Sequence, residues 1–131
     1  MTWGYAASSS SEGPRLVFGV DGTDYLAMTL TCDPVTGVVM FDVPLGEGYD
    51  ASAVSLRSGG VAGRYEPVVP PEADSYDVAH FQTDRADPVL RRFTSSGRLA
   101  IDVYGAFVSH DAKRAAERVA VAAFARACRL S

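Results

Sequence analysis

Lysine and tryptophan each occur once in this 131-residue chain, and cysteine and histidine twice each. No stretch of about 18 apolar residues is present, which excludes a membrane-crossing helix. Two cysteines are too few for a disulfide framework to replace a core, and the length makes one unnecessary. A chain of this size buries roughly two-thirds of its unfolded surface. Basic residues number 12 against 16 acidic, a net charge of -4, which argues against a general nucleic-acid binder. Internal repeats and long low-complexity tracts are absent, and 47% of residues are hydrophobic, too many for a disordered chain. The expectation is a single domain spanning 1–131.

The charge is unevenly placed. Residues 1–110 carry seven basic and fourteen acidic side chains, whereas 111–131 carry five basic and two acidic. The basic residues at the C-terminal end alternate with alanine at helical spacing, so Arg114, Arg118 and Arg129 form a candidate basic ridge. A solvated helix face is the simpler reading of that ridge than a docking surface.

Most of the first 110 residues read as short strands bounded by Gly, Pro, Asp and Ser. A first strand lies around Trp3 and Tyr5, and Ser8–Ser11 reads as a flexible connection. Arg15–Val20, the pair Asp21-Gly22 and Tyr25–Cys32 predict a hairpin with a type I′ turn. Within the second of these strands Leu26, Met28, Leu30 and Cys32 share the inward face, opposite Tyr25, Ala27, Thr29 and Thr31. Further strands are expected at Val38–Val43, Ala53–Arg57, Gly60–Val69, Tyr76–Gln82 and Arg98–Tyr104, with Pro70-Pro71 in an exposed loop.

Two helices complete the pattern. Asp87-Pro88 and Gly97 supply an N-cap, a first-turn proline and a left-handed stop for a short helix at about 87–95. Residues 112–129 lack Gly and Pro and are rich in alanine, which predicts a C-terminal helix capped by Asp111. Ala116, Val119, Ala120, Ala123, Phe124 and Ala127 would form its buried arc, with Cys128 at the edge. The fold class is therefore α+β: an antiparallel β-sandwich or partly open barrel of about six to eight strands, closed by the C-terminal α-helix.

Both cysteines fall on expected inward positions, Cys32 at a strand end and Cys128 in the last helical turn. They can form a bridge or remain two buried thiols. The bridge is favoured, and it implies an oxidising compartment. The chain opens directly in foldable sequence at Met1-Thr2-Trp3, so any export signal or lipid-attachment site is expected to precede it, with a cytoplasmic location as the alternative.

Residues that could carry chemistry are sparse. Gly19-Val20-Asp21-Gly22-Thr23 has the look of the D-x-D-G-T signature of haloacid dehalogenase-type phosphatases, but Gly19 stands where the nucleophilic aspartate belongs. Ser58–Gly63 is glycine-rich yet lacks the Lys-Ser/Thr of a phosphate loop. His80 and His110 have no partner at metal-ligand spacing, and neither a C-x-x-C pair nor a G-x-S-x-G elbow occurs. The expectation is a non-enzyme with no cofactor and no metal, an enzyme remaining an option only if folding sets a histidine beside two acids.

Two resemblances add to this reading. Trp3, Thr29–Asp33, Thr36–Val39, Ser55–Gly59, Asp87–Leu90, Phe93, Ser96–Leu99 and Phe124–Cys128, taken in order, resemble a group of uncharacterised envelope proteins and lipoproteins of alphaproteobacteria. That resemblance implies an exported, β-rich domain with a Cys32–Cys128 disulfide between strand and terminal helix, periplasmic or outer-membrane associated, binding an unidentified protein or envelope component. Separately, Ser58–Tyr65 is similar to the S-G-x-x-x-R-Y loop of membrane-bound C-type lysozyme inhibitors, although extra residues separate Ser58 from Arg64. That similarity implies a periplasmic lysozyme inhibitor acting through the 58–65 loop, with Ser58, Arg64 and Tyr65 as its interaction residues.

Overall fold

The computed structural model describes residues 1–8, 13–20, 22–44, 53–68, 78–102 and 105–130. Alternating inward side chains build a five-stranded antiparallel sheet from β1 (Thr2–Ala6), β2 (Arg15–Gly19), β3 (Leu26–Cys32), β4 (Val38–Pro44) and β7 (Val78–Asp84), in the order β1-β2-β3-β4-β7. A second antiparallel sheet of four strands runs β6-β5-β8-β9, from β5 (Val54–Ser58), β6 (Val61–Tyr65), β8 (Ala100–Asp102) and β9 (Phe107–Ser109). Helices α1 (Pro88–Ser96) and α2 (Ala115–Cys128) complete an α+β sandwich with no closed barrel.

Register explains the core. Leu16 pairs Leu30, Leu30 pairs Phe41 and Phe41 pairs Phe81, so one row of large apolar side chains crosses four strands on the same face. All four are buried, and Phe41 stacks on Phe81 with ring centroids 5.0 Å apart. From the opposite sheet Tyr65 meets the edge of Phe41 at 5.1 Å, while Leu56 and Ile101 are buried as a cross-strand pair.

The short helix forms as its residues dictate. Asp87 Oδ1 accepts from the N–H groups of Val89 and Leu90, Pro88 occupies the first turn, and Gly97 ends the helix at φ 76° with its N–H on the Phe93 carbonyl. Asp87 Oδ2 accepts from two further side chains, the Tyr65 hydroxyl at 2.8 Å and the Thr83 hydroxyl at 2.7 Å. This one buried carboxylate therefore ties α1 to β6 and β7. Burial of the ring, reinforced by the hydrogen bond to Asp87, holds the Tyr65 phenol far above its usual range.

The terminal helix departs from expectation in two ways. It starts at Ala115, because Asp111 Oδ1 accepts instead from the Leu99 N–H at 2.9 Å, and the N-cap position is Arg114. Its buried face is Glu117, Ala120, Val121, Phe124, Ala125 and Cys128, while Ala116 is exposed and Val119 is 66% exposed. The buried stripe is rotated because it includes an acid. Glu117 Oε1 accepts from the Trp3 N–H at 3.1 Å and Oε2 from the Arg114 N–H at 3.0 Å, so its charge is satisfied by backbone donors that also join β1 to α2.

Other differences are local. Nine strands are present among the described residues rather than six to eight, and β9 has no counterpart in the sequence reading. The β2–β3 connection is no two-residue turn: Val20 N–H bonds the Tyr25 carbonyl, and the Phe18/Gly19 step carries a register shift. Strand β6 ends at Tyr65, beyond which Pro67 makes an isolated bridge to Phe81. Asp21, Ser9–Ser11, the Pro70-Pro71 loop, Tyr76, Val103 and Tyr104 lie outside the described residues.

Replacing Asp87 tests the tie. Asp87→Ala removes a helix cap and leaves two half-buried hydroxyls without their acceptor, and we expect a loss of about 1 to 3 kcal/mol in urea denaturation. Asp84→Ala, on an exposed neighbouring site, serves as the control.

Candidate functional site

Cys32 ends β3 and Cys128 ends α2, and the fold places them at disulfide distance with Cα atoms 6.0 Å apart, 96 residues apart in sequence. The inward face of β3 and the rotated stripe of α2 both contain their cysteine, which is why the two meet.

The 58–65 segment is no extended loop. Ser58 pairs Val61 across a two-residue Gly59-Gly60 turn, in which Gly59 has φ 59°. Ser58 is 1% exposed and its hydroxyl donates to the Arg98 carbonyl at 2.7 Å, while the Tyr65 hydroxyl is committed to Asp87. Arg64 alone of the three faces solvent, 3.4 Å from Glu66. The structure thus separates the three residues that the inhibitor resemblance groups together.

Arg114, Arg118 and Arg129 are all exposed on the solvent side of α2. Arg114 is the N-cap, Arg129 the left-handed C-cap, and the Arg118 guanidinium turns back to donate to the Lys113 carbonyl at 2.6 Å. They form a solvated face of the helix.

On the outer face of the five-stranded sheet His80 and Asp42 are directly paired across β7 and β4, Nδ1 to Oδ1 at 2.6 Å. Arg15, Thr29 and Thr31 line the same shallow groove of about 520 Å³ as Asp42. A single acid partner makes a histidine–carboxylate pair, and no group of three metal-ligating side chains exists among the described residues. Among the described residues Asp42 is the acid that pairs with His80, and no second one joins them.

His110 is placed differently. It follows β9, its N–H bonds the Leu99 carbonyl at 2.7 Å, and its own carbonyl accepts from Trp3 Nε1 at 2.7 Å. Phe18 stacks on the imidazole at 4.5 Å, and Trp3 packs on Phe18 at 4.9 Å. The residue is 8% exposed, and its buried Nδ1 makes no hydrogen bond of full geometry among the described residues, the Ser109 backbone being its nearest polar company. Burial pushes its pKa below the usual 6.5, outweighing the upward pull of the Ser109 backbone and the Asp111 charge. Beside it, residues from both sheets surround a mainly apolar cleft of about 280 Å³: Tyr25, Leu26 and Val43 on one side, Ile101 and Val108 on the other. In the sequence His110 stands just before the terminal helix with no partner at metal-ligand spacing. The only sign of its role is the apolar company of Phe107-Val108, which forms a strand too short to show a period.

Comparison with known protein families, with curated proteins and with solved structures finds no match to this chain. Its chemistry is therefore argued from these residues themselves.

The buried imidazole makes stability depend on pH. A folded-state pKa below 6.5 means that the unfolded chain holds a proton the folded one rejects. The contribution is complete above 6.5 and is lost as pH falls through 6.5 toward the folded value. Denaturation midpoints recorded from about pH 8 to about pH 5 should fall for the native chain, and His110→Phe should flatten that segment of the profile.

Proposed function

We propose that this chain is a non-enzymatic, exported domain of the bacterial envelope, periplasmic or outer-membrane associated, that binds a protein or another surface component. The observation that carries the binding half is β9. All three of its residues are exposed, Phe107 39% and Val108 57%, and its outer edge has no neighbouring strand among the described residues. An open edge bearing apolar side chains can accept an extended segment from a partner through backbone hydrogen bonds. Arg57 lies 4.0 Å from the Phe107 ring centroid, so the outer face of this edge presents an aromatic ring held by a cation. Export is supported by the cysteine pair, which is compatible with an oxidising compartment.

A photo-crosslinking amino acid in place of Phe107, in cells exporting the protein, should give a discrete adduct that the same substitution at the 88% exposed Val35 does not. Equal labelling at both positions, or none, removes β9 as the binding edge. Unreduced protein should show no reactive thiol, and reduction should cost about 4 to 5 kcal/mol for a loop of this length. Two reactive thiols would overturn the export reading. The lysozyme-inhibitor alternative rests on Arg64: slowing of a C-type lysozyme by excess protein, relieved by Arg64→Ala, would replace the leading proposal.

A further inference from the structure

Charge divides along the chain more sharply than at the terminal helix alone. Residues 85–131 hold nine of the twelve basic side chains and four of the sixteen acids, and residues 1–84 hold three and twelve. Two of those four acids, Asp87 and Glu117, are buried with their oxygens taken by N–H and hydroxyl donors, so they do not neutralise the surface above them. The helices meet at both ends of α2: the Ala112 N–H bonds the Gly97 carbonyl at 2.7 Å, and the Thr94 hydroxyl donates to the Leu130 carbonyl at 3.5 Å. Each turns its arginines away from the core. On α1 the buried side is Val89, Leu90 and Phe93, which leaves Arg91 and Arg92 exposed, and Arg98 is exposed just after the Gly97 stop. On α2 Arg118, Arg126 and the C-cap Arg129 follow one helical face opposite the buried Ala120 and Phe124. None of the six is in an ion pair among the described residues, where the pairs are Arg64–Glu66 and His80–Asp42. Arg91 and Arg118 do bond, but to the carbonyls of Arg85 and Lys113, which leaves their charge in place.

We propose that this arginine face of α1 and α2 docks on an anionic lipid bilayer, the guanidiniums engaging headgroup phosphates. A guanidinium is weakly hydrated and its planar fork matches phosphate oxygens two at a time. The six lie along the outer sides of two helices instead of converging on one point, so they suit a plane of many phosphates rather than a single small anion. Val119, 66% exposed beside Arg118, adds an apolar tip that a headgroup layer accepts and that gains nothing against a dissolved polyanion. The acid-rich first 84 residues would be repelled by the same membrane, which favours approach with the helices first. This face is separate from the β9 edge and stands whether or not that edge takes a partner.

The test is co-sedimentation of the full chain with vesicles of phosphatidylcholine alone and with vesicles of phosphatidylcholine and phosphatidylglycerol in equal parts. The chain should bind the mixed vesicles only, and binding should fall steeply as salt rises from about 0.05 M to about 0.5 M. Arg98→Gln and Arg126→Gln, at exposed sites, should each weaken binding about fivefold and together about 25-fold, with denaturation midpoints unchanged. Arg64→Gln removes the same charge from β6 and should leave binding as it is. Equal binding to both vesicles, binding to neither, or an equal loss in Arg64→Gln overturns the docking face. Heparin fragments that bind more tightly than the mixed vesicles, through the same two arginines, would assign the face to a dissolved polyanion and overturn the lipid reading.

Discussion

The Asp87 carboxylate is where the two sheets and the first helix become one structure. Four donors converge on its two oxygens, two backbone N–H groups from α1 and the hydroxyls of Tyr65 and Thr83. A charge so buried is tolerated only when its lone pairs are used, and here each oxygen has two partners. The geometry follows: β6 must approach β7 closely enough for Tyr65 to reach, which seats the Tyr65 ring against Phe41 and closes that flank of the core. On the β9 flank the sheets meet instead through His110, whose carbonyl accepts from Trp3 Nε1 and whose ring stacks on Phe18, while Ile101 and Val108 border the cleft.

A second set of polar contacts anchors the chain ends to each other. Trp3 gives its N–H to Glu117 and its indole N–H to the His110 carbonyl, while its ring packs on Phe18 and, at 5.1 Å, on Phe93. The same α2 face that receives Trp3 carries Cys128 to Cys32. The terminal helix is thus held by independent means, hydrogen bonds to β1 at its start and the cysteine pair to β3 at its end.

Local chemistry made much of this legible beforehand. Asp87, Pro88 and Gly97 each act within a few residues of themselves, so cap, first turn and stop could be read from the sequence and are found in place. The alternation of β3 likewise placed Cys32 inward. What escaped reading depends on distant partners. Glu117 looks like a solvated charge until a strand more than a hundred residues away supplies Trp3, and so the buried arc of α2 was drawn through Val119 instead of Val121. Asp111 was drawn as a cap because nothing local shows that Leu99 will claim it. Strand β9, at three residues, is shorter than any periodicity can reveal.

The candidate site was the least legible part for the same reason. Its apolar walls come from two sheets, and in sequence no two of the walls Leu26, Val43 and Ile101 are neighbours. The 58–65 segment, by contrast, drew attention through a compact local pattern that the fold spends on a tight turn and an internal hydroxyl bond at Ser58. A glycine pair between serine and valine is what a two-residue hairpin requires, whatever else such a pattern resembles. His110 is placed by the same long-range logic: its N–H bonds the Leu99 carbonyl, its own carbonyl accepts from Trp3 Nε1 and its ring stacks on Phe18, and none of these partners is a neighbour in sequence.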